Sequence, residues 1–108
     1  MHASHELRKF LSLEPENRWM MSPVERLVIV GLLAILKPNR SLELGHRFGG
    51  CTEYIAKYSR EVVSVDIDET VLESCKRWKN VEAMHADSSS ALMDLSARGK
   101  RFDFALID

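Results

Sequence analysis

Three glycines and a carboxylate stand out as residues that could do chemistry. Gly45, Gly49 and Gly50 fall within the stretch Ser41-Leu-Glu-Leu-Gly-His-Arg-Phe-Gly-Gly-Cys-Thr52. Ser41 to Leu44 reads as the end of a short buried strand, Gly45 to Gly50 as a turn, and Thr52 to Tyr58 as the start of a helix. Glycines at such a turn supply φ > 0 and let a ligand approach the main chain closely. The helix that follows presents free N–H groups and its positive dipole end to the same gap. Asp66 closes the next apolar run, Val62-Val-Ser-Val65, 21 positions after Gly45. Strand, glycine turn, helix and a second strand ending in a carboxylate form the layout of a nucleoside-binding βαβ unit.

The same turn narrows the nucleoside. A dinucleotide fingerprint needs a glycine at its second position so that the backbone can touch a pyrophosphate. Here the three positions are Gly45, Arg47 and Gly50, and Arg47 fills the critical one. No Gly-Lys-Ser/Thr follows the turn, so it is not a P-loop. The expected ligand is a nucleoside without a pyrophosphate.

These residues need elements to position them. Ser22 can N-cap a helix with Pro23 at its first position and Glu25 at its third, running to Leu36. Beyond Arg26 that helix is apolar on nearly every side, which predicts burial. Lys37-Pro-Asn-Arg40 turns the chain into the first strand. After the turn come a helix over Thr52–Ser59 and a strand over Glu61–Val65. Asp68 caps a helix over Glu69–Lys79 with Val71, Leu72, Cys75 and Trp78 on its buried face. A strand over Val81–Met84 follows. Asp87 or Ser88 starts a helix over Ser89–Ala97, closed by Arg98 and Gly99, and the last strand is Phe102–Asp108. Ahead of all this, a short amphipathic helix from Ser4 or His5 to Leu13 carries Leu7, Phe10 and Leu11 on one face. Pro15 and Asn17 break it, and Trp19-Met-Met21 reads as core packing.

Strands alternating with helices give an α/β, Rossmann-like parallel sheet with helices on both faces. Residues 1–21 are expected as a helical extension and 22–108 as the domain. Phe104 to Ile107 is a continuous apolar strand of the kind found inside a parallel sheet. The expectation is therefore the front half of a larger doubly wound domain, truncated after its fourth strand.

Composition sets the outer limits. The 108 residues suit one small domain, and 15 basic against 16 acidic residues leave a net charge of −1. Neither a nucleic-acid nor a membrane surface is expected from that balance. Cys51 and Cys75 have no C-x-x-C spacing and read as free thiols in a reducing cytoplasm. The N-terminus lacks the apolar stretch of a signal peptide, and Leu27 to Leu36 is too short to span a bilayer. His2, His5, His46 and His85 show no metal-binding spacing, so no metal site is expected, and only His46 falls near the ligand.

Beyond these readings, Glu43-x-Gly45-x-x-x-Gly49-Gly50-x-Thr52 resembles motif I of class I S-adenosylmethionine-dependent methyltransferases. The match is to the small-molecule branch whose turn reads E-x-G-x-x-x-G-G-S/T-T, related to the catechol and antibiotic O-methyltransferases. Val63 to Asp68 resembles the second motif, Met84 to Ser88 the third and Phe102 to Asp108 the fourth, in order over 22–108. Arg47 departs from the commoner version, which has a middle glycine. The family's fifth to seventh strands, with most of the acceptor pocket, have no counterpart here.

The resemblance implies S-adenosylmethionine as cofactor, held by Glu43, Gly45, His46, Gly49, Gly50, Thr52, Asp66, Asp87 and Ser88. Glu43 would meet the cationic end of the ligand directly or through water, and the N–H groups of Gly49 to Thr52 its carboxylate. Asp66 would accept both ribose hydroxyls. Asp87 would accept from the adenine amine, unless it serves only as a helix cap. Asp108 would face the reacting methyl group as the catalytic residue. Related catechol-type enzymes place a divalent cation there, but one carboxylate is not a metal site. The implied activity is O-methylation of a small-molecule acceptor; a cytoplasmic location is expected from the free thiols, and a homo-oligomer from the apolar edge strand Phe102 to Ile107. Two other readings stand beside it: a nucleoside-binding half-domain that acts only through assembly, and an NAD-binding oxidoreductase, which Arg47 disfavours.

Overall fold

Ser22 opens the described part of the chain as predicted. In the computed structural model, which describes residues 22–107, its hydroxyl accepts from the Glu25 N–H at 3.3 Å while Glu25 Oε1 accepts from the Ser22 N–H at 3.1 Å. This capping box starts α1 (Pro23–Leu36), which ends at Lys37 in a left-handed conformation, φ 44°. The remaining elements are β1 (Arg40–Leu44), α2 (Gly50–Tyr58), β2 (Glu61–Asp66), α3 (Thr70–Ser74) with a 3₁₀ turn at Cys75–Arg77, β3 (Val81–His85), α4 (Ser88–Ala97) and β4 (Phe104–Ile107). The expected helix over residues 4–13, the extension over 1–21 and Asp108 lie outside the described residues.

All four strands pair in parallel in the order β3-β2-β1-β4. The pleat sends alternate side chains to opposite faces. Leu42, Leu44, Val63 and Val65 pack on Ala91 and Leu95 of α4. Val62 and the half-buried Phe104 and Leu106 face the other way, toward Leu33 of α1 and Cys51, Tyr54 and Ile55 of α2. The sheet is covered on both faces, as expected. α4 is closed tightly: Asp87 caps it, and Gly99 at φ 69° lets the Gly99 and Lys100 N–H groups reach the carbonyls of Ser96 and Leu95, both at 3.0 Å. β4 pairs with β1 alone, and its outer edge has no partner among the described residues.

Two expectations fail. α1 is not buried all round: only Arg26 and Leu33 are, while Leu27, Val28, Leu32, Ile35 and Leu36 are exposed. Arg26, Ile29, Val30 and Leu33 form a single stripe at helical spacing, and one stripe is all that a helix lying on one face of a sheet can bury. The helix expected to reach Lys79 instead tightens at Cys75 and gives way at Trp78, whose backbone is extended. Val71 and Cys75 are buried and Trp78 half-buried, but Leu72 is exposed. Here the need to turn Ser74, Arg77 and Trp78 toward the glycine turn overrides helical propensity.

Candidate functional site

The glycine turn is tied down residue by residue. The N–H groups of Gly45 and His46 both donate to the Val65 carbonyl, at 2.8 and 3.2 Å. Gly45 has φ 103° and Gly49 φ 85°, conformations that favour glycine. Arg47, at φ 53°, adopts a left-handed conformation too, at the position where the commoner motif carries glycine. Its N–H donates to Asp66 Oδ2 at 2.8 Å, and the N–H of Gly49 donates to the His46 carbonyl at 3.0 Å. Gly49 then becomes the N-cap of α2, which starts at Gly50, earlier than expected.

Asp66 sits half-buried at the end of β2 and also accepts from the Asp68 N–H at 2.9 Å. Burial works against its charge, but the N–H groups of Arg47, Asp68 and His46 outweigh that and hold its carboxyl below the usual range. It is ionised and acceptor-only. With about four lone-pair sites on two oxygens and three N–H groups against them, the carboxylate keeps acceptor capacity for a further donor. Asp66 is a brace for the turn. Asp66→Ala is expected to lower stability by about 1.5–3 kcal/mol, the scale of one hydrogen bond to a charged group, in denaturant melts. Asp66→Asn, which retains one carbonyl acceptor, should lose less.

Gly45 and Asp66 line a cavity of about 460 Å³ beyond the carboxyl ends of β1, β2 and β3. Asp87, Ser88, Leu44, Arg47, Val65, Ile67 and Ala86 complete its wall. Three separate turns thus converge on one crevice, where open α/β sheets bind their ligands. Asp87 is above all a cap, accepting from the Ser90 N–H at 2.8 Å and the Ser90 hydroxyl at 3.0 Å. A larger hollow of about 660 Å³ lies at the opposite ends of the strands, around Arg40, Arg60 and Asp103, away from the glycine turn and Asp66.

Glu43, His46 and Thr52 are placed elsewhere. They lie under the turn in the interior, with Glu43 only 1% exposed, and do not line the cavity. Strand register sets Glu43 beside Ser64, whose hydroxyl donates to Glu43 Oε1 at 2.6 Å; the Thr52 hydroxyl donates to the same oxygen. Glu43 Oε2 has no hydrogen-bond partner among the described residues. The His46 ring enters this cluster from the turn: Nδ1 lies 2.9 Å from Ser64 Oγ and from Thr52 Oγ1, 3.6 Å from Glu43 Oε1 and 3.7 Å from Cys75 Sγ. Nε2 lies 2.7 Å from Ser74 Oγ. Burial depresses the imidazole most strongly, yet hydrogen bonds to Cys75 and Glu43 and their charges push it up to about 9. Protonated, His46 is the countercharge of Glu43.

The sequence reading missed Ser64, Ser74, Cys75 and Arg77 as parts of this structure. A signal was present in Glu43 and Ser64, polar residues interrupting strands that a parallel sheet buries on both faces. Among the described residues, no three His, Cys, Asp or Glu side chains converge as a metal ion requires. No helix among them is long and apolar enough to cross a membrane.

No family model matches the chain, and no curated protein matches its sequence. Solved structures do match it. The O-methyltransferase from Bacillus cereus in complex with S-adenosylhomocysteine superposes with a TM-score of 0.68 at 19% identity, over 100% of this chain and 54% of that one. The N-methyltransferase NodS from Bradyrhizobium japonicum matches with a TM-score of 0.49 at 23% identity, over 59% of this chain and 39% of that one. The chain therefore shares the Rossmann-like fold of the Bacillus O-methyltransferase. The chain spans about half the length of the Bacillus enzyme.

Proposed function

We propose that the cavity at Gly45 binds S-adenosylmethionine and that the chain is the cofactor-binding part of a small-molecule O-methyltransferase. One observation carries the reading: Gly45, Asp66, Asp87 and Ser88, singled out by motif, line a single cavity. Its 460 Å³ lies within the range of small-molecule pockets, about 300–1,000 Å³. The residues present fit the ligand. Gly45 offers a wall without Cβ, and the acceptor capacity left on Asp66 suits a ribose hydroxyl. Asp87 and Ser88 offer polar edges to the base. Glu43 and Thr52 support the turn from within.

Bound there, the cofactor would supply an electrophilic methyl group on a sulfonium. This chain's residues orient the nucleoside, and such positioning is the larger part of what a protein adds to an in-line displacement. The catalytic role of Asp108 and the identity of the small-molecule acceptor belong to the same proposal. So does a cytoplasmic homo-oligomer without nucleic-acid or membrane partners. The outer edge of β4, unpaired among the described residues, and the exposed apolar side of α1 support self-association, which light scattering over a dilution series should register as a dimer; a monomer at high micromolar concentration would refute it.

Calorimetric titration tests the central claim. S-adenosylhomocysteine should bind and NAD should bind more weakly, because Arg47 stands where a pyrophosphate would need glycine. Tighter binding of NAD would overturn the reading.

A further inference from the structure

Arg77 belongs to none of the motifs, yet its guanidinium lies on the glycine turn. Its terminal nitrogen donates to the Phe48 carbonyl at 3.1 Å and to Ser74 Oγ at 3.0 Å, while Nε donates to the Ser74 carbonyl at 3.1 Å. The guanidinium carbon stacks over the Trp78 ring, 4.3 Å from its centroid. So close is the contact that a Cβ built on Gly49 would fall 2.3 Å from that terminal nitrogen and 2.9 Å from Trp78. Ser74 Oγ is in turn 2.7 Å from His46 Nε2. A continuous polar chain therefore runs from Glu43 through His46, Ser74 and Arg77 to the Phe48 carbonyl. It grips the turn from inside through His46 and from outside through Phe48. Asp66 holds it at Arg47, between the two grips.

We propose that Arg77 is a positioning residue: it clasps the Phe48 carbonyl to Ser74 and His46, and so sets the turn whose Gly45 and Arg47 wall the ligand cavity. A guanidinium suits the task because three N–H groups in one plane reach three acceptors while the same plane stacks on an aromatic ring. A lysine ammonium has neither the fork nor the flat face. The clasp is a property of the protein alone; only its effect on ligand affinity rests on the adenosyl reading of the cavity.

The test uses Arg77→Gln and Arg77→Lys in the full chain, with two readouts. Amide hydrogen exchange follows Gly49 and Glu53, whose N–H groups bond within the turn and to its end, against Arg98 in the distant α4 closure. Both variants should speed exchange at Gly49 and Glu53 at least tenfold and leave Arg98 unchanged, and the ¹⁵N resonance of His46 Nε2 should shift. A general loss of stability would instead raise exchange at all three sites. Calorimetry with S-adenosylhomocysteine should show about tenfold weaker binding in both variants. Unchanged exchange at the turn, or full retention of wild-type behaviour by Arg77→Lys, overturns the clasp. Wild-type protein that fails to bind S-adenosylhomocysteine would sink the cofactor reading while the exchange readout still decides the clasp. If the Arg77 variants do not fold, Ser74→Ala, which cuts the link to His46, should reproduce the local exchange change, and its failure to do so counts against the proposal.

Discussion

His46→Phe is expected to destabilise the protein by roughly 3 kcal/mol at pH 6. The ring is kept, so its edge contact with Trp78 survives, but the countercharge of Glu43 is lost. Removing one partner of a buried ion pair costs about 3–5 kcal/mol, because the other charge is left without compensation. The raised imidazole, held up by Cys75 and by Glu43, points the same way. An imidazole raised from 6.5 to about 9 contributes about 1.36 kcal/mol for each unit of that rise. The direction with pH is fixed by the same shift. The folded state holds the proton more tightly than the unfolded chain, so the contribution is complete below pH 6.5 and disappears as pH rises through about 9. Urea melts of the wild type should therefore lose stability between those values, and His46→Phe should remove that slope. A wild type equally stable at pH 6 and pH 9.5 would show that His46 is not the countercharge. Glu43→Gln/His46→Phe should cost less than the sum of its single changes, since the double variant leaves no orphaned charge.

Gly49→Ala should cost about 2–5 kcal/mol. The left-handed backbone accounts for about 1–2 kcal/mol of this for any residue with a Cβ. Overpacking adds about 1–3 kcal/mol, since the new methyl meets the guanidinium and the Trp78 ring. Arg77 is flexible and can retreat, but doing so gives up its bond to the Phe48 carbonyl. Gly99→Ala makes a useful control. Its φ is 69°, but nothing lies within 4 Å of the added Cβ, so only the backbone cost remains. Equal losses at the two glycines would mean that Arg77 and Trp78 do not press on the turn.

How much of this was legible in the sequence follows from the range of each interaction. Ser22 with Glu25 and Gly99 after Ala97 act within a few residues and formed as read, and of the two residues offered for the start of α4, Asp87 is the cap. The alternation of strands and helices foretold a parallel sheet, and of the three glycines Gly45 lines the crevice. What escaped depends on strand register and on a crossover that folds back. Glu43 meets Ser64 only because β1 and β2 pair in one register. His46 reaches Ser74 across 28 positions, and Arg77 reaches Phe48 across 29. No local pattern encodes such contacts. The exposed side of α1 was misread for a related reason: composition reports how apolar a helix is, not how many faces its neighbours cover.

The two oxygens of Asp66 face two ways, and this changes what a dissociation constant would mean here. One carboxylate orders the turn, and on the proposed adenosyl reading the same carboxylate meets the ligand, so that folding of the site and binding to it would draw on the same charge. Apparent affinity equals intrinsic affinity scaled by the fraction of molecules whose site is already formed. A change at Asp66 moves both factors at once, and a change at Arg77 moves only the second. If a substitution leaves one molecule in ten with an ordered turn, measured affinity falls about tenfold with every ligand contact intact. Loss of binding on changing Asp66 is thus a product of two terms, and crowding agents or osmolytes that favour the compact turn should restore only the conformational one.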